Sequence, residues 1–467
     1  MKLQFIYRYI ICSICTIVYT SCMTKRTYEK TAQVNASLYR DVNLQDTANI
    51  ALLPWQDFFG DKQLRNLIDT GLKNNLDLKI GLERISKARS LVSQSKAAFL
   101  PDLSLNGQVA RSRMAFPQSF GFVDNATTYE LGLKTSWEID VWGKLKNSKK
   151  AIFFRLMQEE STHRAIQTQL IAEIADLYYQ LLALDEQVDI LNHTIATRQE
   201  EVIAMKRLQE SSIVTGAAVA QSEAALLDAQ NMLPSVYRQI RMRENALNVL
   251  LGISPRSVER SSFTVQPSFP SVDIGVPLQL LQNRPDVMAA EFEIASYFEN
   301  INVARKAFYP TLTIQAASGF TNFGFSNWFT PSGFFANVGG GLLQPVFSKR
   351  LNKTRLELAK SDYREKVLDF QKILLLAGQE VSDALYSYQS ASEQETKRQN
   401  QLEKLQEALG YTQKLLLYHS STNYTDVLAS RQALLSAQMQ MSNERLLKYQ
   451  SLIYLYRSLG GGWRDRD

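Results

Sequence analysis

The side chains able to do covalent or metal chemistry are few and scattered in this 467-residue chain. Cys12, Cys15 and Cys22 all fall in the first 22 residues, so the body has neither a disulfide framework nor a thiolate metal site. His163, His193 and His419 are too far apart in sequence to suggest zinc and read as helix-surface residues. No GxxxxGK(S/T), HExxH or GxSxG occurs. The glycines of VGGGLLQP (338–345) lack a following Lys-Ser/Thr and fall on an expected strand, where they let a bent wall close. The chain therefore reads as no enzyme, with neither cofactor nor metal. A net charge of +6 without Lys/Arg runs leaves no footprint for nucleic acid. Apolar residues at 45% and charged residues at 21% exclude a disordered chain and a helical multi-pass membrane protein.

Three short motifs have local readings. Arg284-Pro285-Asp286 is expected to start a helix: proline suits the first turn, and the Asp286 carboxylate faces the positive helix end. A direct part in the protein's function is the competing reading. Gly460-Gly461-Gly462 reads as a helix stop. The leader has Lys2 and Arg8, an apolar run from Tyr9 to Tyr19, then small residues before Cys22. That is the shape of a signal peptide, too short for a comfortable membrane span, with an uncleaved anchor as the alternative.

The elements that must position these residues come in two copies. SKAAFLPDLSL (95–105) is echoed by ARKAFYPTLTI (304–314), VAQSEAALLDAQ (219–230) by VLASRQALLSAQ (427–438), and Leu251-Gly252 by Leu459-Gly460. VWGK (141–144) likewise corresponds to VFSK (346–349). Nearly constant displacements mean one unit duplicated, not a solenoid. Expected segments are a signal peptide (1–21), an N-terminal segment (22–60), a first repeat (61–252), a linker (253–276), a second repeat (277–460) and a tail (461–467).

Within each repeat a helix (75–99 or 286–308) precedes two alternating segments. A long helical tract (145–210 or 352–418), a turn and a returning helix (217–250 or 425–458) follow. In the first tract Leu170, Ile174, Leu177, Leu181, Leu184, Val188, Leu191 and Ile195 step by fours and threes, the coiled-coil period. Val219, Leu226, Ala229, Leu233, Val236, Ile240, Leu247 and Leu250 make the seam of the returning helix. At 1.5 Å per residue each tract runs about 100 Å, and a soluble antiparallel coiled-coil rod fits the heptads equally well.

The alternating segments, 103–113, 129–138, 311–320 and 334–344, favour a membrane. Leu103, Leu105 and Val109 oppose Ser104, Asn106 and Gln108; Tyr129, Leu131, Leu133 and Trp137 oppose Glu130, Lys134 and Ser136. One apolar and one polar face suit either a half-buried sheet or a transmembrane barrel. Seven aromatics in 320–335 suit an interfacial girdle, against an aromatic core under a loop as the alternative. Natural barrels begin at eight strands, so four strands per chain require an oligomer. At Pro101 and Pro310 the spacing changes from helical to alternating, since proline removes a helical donor and pushes the preceding residue toward extended geometry.

Taken together, the SC ending of the leader, LLQNRPDVMAAEFEIA (280–295), ARKAFYPTL, the heptad hairpins and SLGGGW (458–463) resemble TolC-type outer-membrane efflux proteins. The similarity is to the NodT/OprM branch of lipidated drug-efflux channels and covers Trp55 to Trp463. It implies an α+β membrane protein in which long antiparallel helices form a periplasmic tunnel. Each of three chains would add four strands to a shared twelve-stranded barrel. It implies acylation of Cys22 and an outer-membrane lipid anchor, although Tyr19 stands where such signals usually carry leucine. It implies a passive exit duct for drugs or other small toxic compounds, with a periplasmic adaptor (membrane fusion) protein and an inner-membrane RND-type pump as partners. The same architecture serves type I protein secretion, and a non-transporting coiled coil of the envelope is the alternative from another class.

The resemblance also places Asp426, in a DVL context, at a ring of carboxylates that narrows the closed pore; Ala429 stands where a second acid is usual. Such a ring attracts cations and disfavours anions. The competing reading makes Asp426 an early helical residue behind Asn423 as N-cap, and the first repeat has Thr215 at the cap but Ala218 in place of the acid. Tyr418 and Arg431 are further candidates for holding neighbouring hairpins shut.

Overall fold

A computed structural model of the chain describes residue 28 and residues 50–113, 125–263, 266, 283–418 and 424–464. Their order is α1 (Lys62–Asn74), α2 (Leu76–Ala97), β1 (Asp102–Arg113), β2 (Asn125–Ile139), α3 (Lys144–Glu210) and α4 (Gly216–Leu250). The second set is α5 (Pro285–Lys306), β3 (Thr311–Asn322), β4 (Phe334–Leu343), α6 (Leu351–Tyr418) and α7 (Tyr424–Ser458). The duplication seen in sequence is thus repeated in element lengths: α3 has 67 residues and α6 has 68, while α4 and α7 have 35 each.

Contacts divide the chain into two compact units. One gathers Ile85–Glu159 and Ala290–Phe370, and contains all four strands. They form one antiparallel sheet in the order β1-β2-β3-β4. Strand β2 starts at Asn125, four residues before the alternation becomes clear, because Asn125 to Thr128 continue the ladder opposite Ala110 to Arg113. Where the helices enter, Ile85, Ala88, Val92 and Leu156 bury one another in a small core.

The other unit draws on Gln33–Arg84, Glu160–Ala289 and Gln371–Asp467. Leu170, Ile174, Leu181, Leu184 and Leu191 of the expected seam are buried, and so are Ile171, Ala175, Tyr178, Tyr179 and Leu182 beside it. Helix α3 therefore packs on more than the one stripe that a heptad defines. On α4, Val219, Ala229, Val236, Ile240 and Leu247 are buried as a seam requires.

Both returning helices end in the same device. Gly252 (φ +66°) and Gly460 (φ +92°) take left-handed geometry that other residues adopt at a cost. The next amide donates back five residues, Ile253 N to Asn248 O at 3.0 Å and Gly461 N to Tyr456 O at 2.9 Å, closing a Schellman motif. A Cβ at Gly252 would lie 2.6 Å from Asn74 O, and one at Gly460 only 2.4 Å from Asn283 O. Each helix end thus abuts the residue just ahead of its own repeat's helix start. At the first of these, Asn75 caps α2, accepting from Asp77 N (2.9 Å) and Leu78 N (3.1 Å), and donates to Leu250 O (2.9 Å).

Candidate functional site

The sheet is two-faced. Cross-strand partners share a face, so the register puts Leu105, Leu133 and Ser318 in one row and Trp137 beside Ile314 in another. The same face carries Leu103, Val109, Ala316, Val338 and Leu342. Leu103 and Leu105 are 70% exposed and Val338 is 79% exposed, so among the described residues nothing covers this apolar face. The opposite face carries Ser104, Asn106, Gln108, Glu130, Lys134 and Gln315. Water would be expelled from the first face and welcomed at the second, the arrangement of a barrel wall with lipid outside and solvent inside. Among the described residues no helix is long and apolar enough to cross a membrane.

Aromatic rings collect at the loop end of the apolar face. Phe320 meets Phe329 and Phe334 edge-on at 5.7 Å, Trp328 stacks on Phe329 at 4.9 Å, and Tyr129 contacts Phe325 and Trp328. Phe323, Phe325, Phe329 and Phe334 remain exposed, which suits the amphipathic level between acyl chains and headgroups better than a core. At the helix end, Pro101 lies between α2 and β1, and Pro310 between α5 and β3. Indoles bridge both junctions: Trp137 Nε1 donates to Phe99 O (2.9 Å), and Trp142 Nε1 to Pro310 O (2.7 Å), with Trp142 stacked on Tyr309 at 5.1 Å. The carbonyls left without a strand or helix partner where the chain switches geometry are thereby satisfied.

At the hairpin turns, Thr215 occupies the N-cap position of α4 in extended geometry, but its side chain makes no capping bond. Asp426 sits in the first turn of α7 and is exposed. Asn423 and the Tyr418 side chain lie outside the described residues, as does Cys22. Arg431 turns to the first hairpin, where it pairs with Glu201 of α3. Next to this pair Arg198, 2% exposed, donates to Ala225 O and, through Nη2 at 2.8 Å, to Gln432 Oε1. Tyr424, Val427, Met205, Ala218 and Val219 form an apolar plug alongside. Burial raises the Glu201 carboxyl above the usual range, and the Arg431 and Arg198 cations pull it only partly back. The result is a half-buried ionic clasp from α3 to α7, with Arg198 also reaching α4. Sequence reading singled out Arg431 but had no signal for Arg198 or Glu201.

Comparison with known proteins bears on what such an arrangement is for. The model of the outer membrane efflux protein family matches residues 67–253 and 276–461. The chain belongs to that family. It is 29% identical over 444 residues to the probable efflux pump outer membrane protein SepC of Pseudomonas putida, covering 93% of this chain and 90% of that protein. It is 27% identical over 419 residues to the probable outer membrane lipoprotein SilC of Salmonella typhimurium, covering 88% of each. The solved outer-membrane channel OprN superposes with a TM-score of 0.84 at 23% identity, over 94% of this chain and 98% of that one, which shows the shared fold. The chain is thus an outer-membrane efflux channel of TolC-like fold, in a family of ducts and not of enzymes, and it serves a pump system.

Within this efflux protein the RPD motif does more than begin a helix. Pro285 is the first residue of α5 and Asp286 lies in its first turn. Arg284 forks onto Asp286 (Nε–Oδ1 3.0 Å, Nη2–Oδ2 2.7 Å), and its Nη1 reaches Glu380 Oε2 of α6 (2.7 Å) and Ser458 O of α7 (3.0 Å). Burial works against Asp286, yet Arg284 overrides it and holds the carboxyl below its ordinary value. One guanidinium therefore ties together three helices of the second repeat. Its first-repeat counterpart is Asn75, whose shorter side chain makes the cap described above.

Asp61 holds a second network that sequence reading did not single out. Its Oδ1 caps α1 through Gln63 N (2.7 Å) and Leu64 N (3.3 Å), and its Oδ2 accepts from Tyr178 (2.8 Å), Gln266 (2.9 Å) and Ser261. Burial raises the Asp61 carboxyl, but the bonds from Ser261, Gln266, Tyr178 and Leu64 outweigh it and leave the group below its ordinary value. Among the described residues no group of three or more His, Cys, Asp or Glu is arranged to hold a metal ion.

Proposed function

We propose that this protein is the passive exit duct of a tripartite efflux system, exporting drugs or other small toxic compounds delivered by an inner-membrane RND-type pump through a periplasmic adaptor. The observation that carries the reading is the two-faced sheet, whose edges β1 and β4 are unpaired among the described residues. In lipid each unsatisfied backbone group costs several kcal/mol, so the edges must pair with those of other copies. Three copies give twelve strands, well above the eight of the smallest natural barrels. A homotrimer also accounts for the apolar residues that the isolated chain leaves exposed on α6, among them Leu358, Leu368 and Leu375.

Cys22, acylated after removal of residues 1–21, anchors the duct to the outer membrane, a reading supported by the lipoprotein name of SilC. At the periplasmic tip, Asp426 from each copy narrows the closed pore, with Tyr418 and Arg431 helping to hold the hairpins together. Opening follows when a rotating hairpin parts from its neighbour. The detergent-solubilised protein should have a mass of about three times 53.0 kDa by light scattering after subtraction of bound detergent. A protein that stays monomeric under conditions that preserve its helical spectrum would refute the reading.

A further inference from the structure

The polar face of the sheet is not uniform. One row across it reads Asn106, Gly132, Gly319, Phe335. The two glycines meet so closely that neither has room for a side chain. A Cβ on Gly319 would lie 2.3 Å from Leu131 O and 2.4 Å from Gly132 Cα, and one on Gly132 would lie 2.8 Å from Ser318 O. Paired glycines of this kind mark a kink by which a sheet curves.

The space they leave is filled by one aromatic ring. Phe335, half-buried, lies across Gly319 until its Cζ is 3.3 Å from where a Gly132 Cβ would stand. From either side of Gly132 on the same face, Glu130 and Lys134 reach toward each other and pair at 3.4 Å. The Asn106 amide nitrogen, opposite Gly132, is covered and makes no hydrogen bond among the described residues. An aromatic ring, an ion pair and an amide thus converge on one level of a face that is otherwise small and polar, with Ser104, Ala110 and Ser112 of β1 to either side.

We propose that Phe335 and the Glu130–Lys134 pair form a charge-balanced constriction on the inner wall of the barrel, which sorts departing solutes by bulk without selecting their charge. This rests on the reading of the sheet as a barrel wall. The ring is held flat over the glycine kink, so it narrows the bore by its thickness and not its length. The lysine cancels a carboxylate that would otherwise repel anions three times over around the axis.

The test uses the absence of cysteine beyond Cys22. Gln315→Cys places a thiol on the polar face, toward the helix end from the Gly319 row, and Leu133→Cys places one on the apolar face. Intact cells are treated at low salt with membrane-impermeant methanethiosulfonates of equal bulk, one cationic and one anionic. With both charges present the two should react with Gln315→Cys at similar rates. Adding Lys134→Gln should raise the cation-to-anion rate ratio about three- to tenfold, and Glu130→Gln should lower it by a similar factor. Each change should fade as salt rises. Phe335→Ala should speed a bulky uncharged reagent several-fold at the same thiol, and Phe335→Trp should slow it. Unaltered ratios in both charge variants, or a bulky-reagent rate indifferent to Phe335, would overturn the constriction. Equal labelling of Leu133→Cys and Gln315→Cys would instead overturn the barrel-wall reading on which it rests.

Discussion

Glu201→Gln is the most direct perturbation of the clasp between hairpins. Glutamine preserves the volume and one acceptor oxygen but leaves Arg431 and the buried Arg198 as neighbouring cations with no carboxylate between them. A fully exposed ion pair contributes at most about 1 kcal/mol. Removing one partner of a fully buried pair costs about 3–5 kcal/mol. The Arg431 and Glu201 side chains are 17% and 16% exposed, so the loss falls between these bounds, at about 2 kcal/mol. If opening parts α7 from α3, the closed state alone bears that loss. The open-to-closed ratio then rises about 30-fold, since 1.4 kcal/mol is a factor of ten.

Single-channel recording in planar bilayers measures this as the fraction of time at the higher conductance level. Acid should mimic the substitution. The Glu201 carboxyl already titrates above its ordinary value because of burial, so lowering the pH through that point neutralises it and opens the wild-type duct. The Glu201→Gln duct should lack this part of the pH response. Equal open probability in the two proteins, or an identical pH response, would show that the clasp does not hold the hairpins together.

Three other outcomes are expected. Asp426→Ala should raise conductance or weaken cation preference, and an unchanged channel would leave Asp426 only a helix-capping role. Arg284→Met should cost about 3 kcal/mol, read as a lower midpoint in the thermal loss of helical circular dichroism. Arg284→Lys should recover only part of it, because an ammonium cannot fork onto Asp286 while reaching Glu380 and Ser458 O; a midpoint unmoved in both variants would contradict the tie between helices. Asp61, lowered below the ordinary carboxylate value in the fold, contributes stability that is full at neutral pH and drains away as pH falls through about 4 and below. Denaturation profiles at stepped pH should show Asp61→Asn less stable than wild type at neutrality and the gap closing in acid; a gap independent of pH would contradict this.

Much of the architecture was legible because it rests on properties local to a few turns of chain. Heptad spacing marked the seams of α3 and α4, alternation marked the strands, and the prolines at 101 and 310 lay where one period gives way to the other. The echo of Leu251-Gly252 in Leu459-Gly460 pointed to a repeated helix stop, which recurs in space as two Schellman motifs. The apolar face of the sheet could also be named residue by residue, because a strand's side chains alternate whatever surrounds it.

What sequence could not reveal was partnership across distance. Nothing in the order of residues says that Arg198 meets Gln432, 234 positions away, or that Tyr178 meets Asp61, 117 away. The RPD motif announced a helix start, yet its arginine is spent largely on Glu380 and Ser458 O, 96 and 174 residues on. Helix α3 showed one heptad stripe in sequence and buries residues on both sides of it, because a period identifies a face and not the number of neighbours that cover it. The glycines at 132 and 319 look like unrelated small residues until the register of β2 and β3 brings them opposite each other. Periodicity is a property of the backbone and so is written in the sequence. The choice of which buried charge or ring meets which is made by packing, and only the tertiary structure decides it.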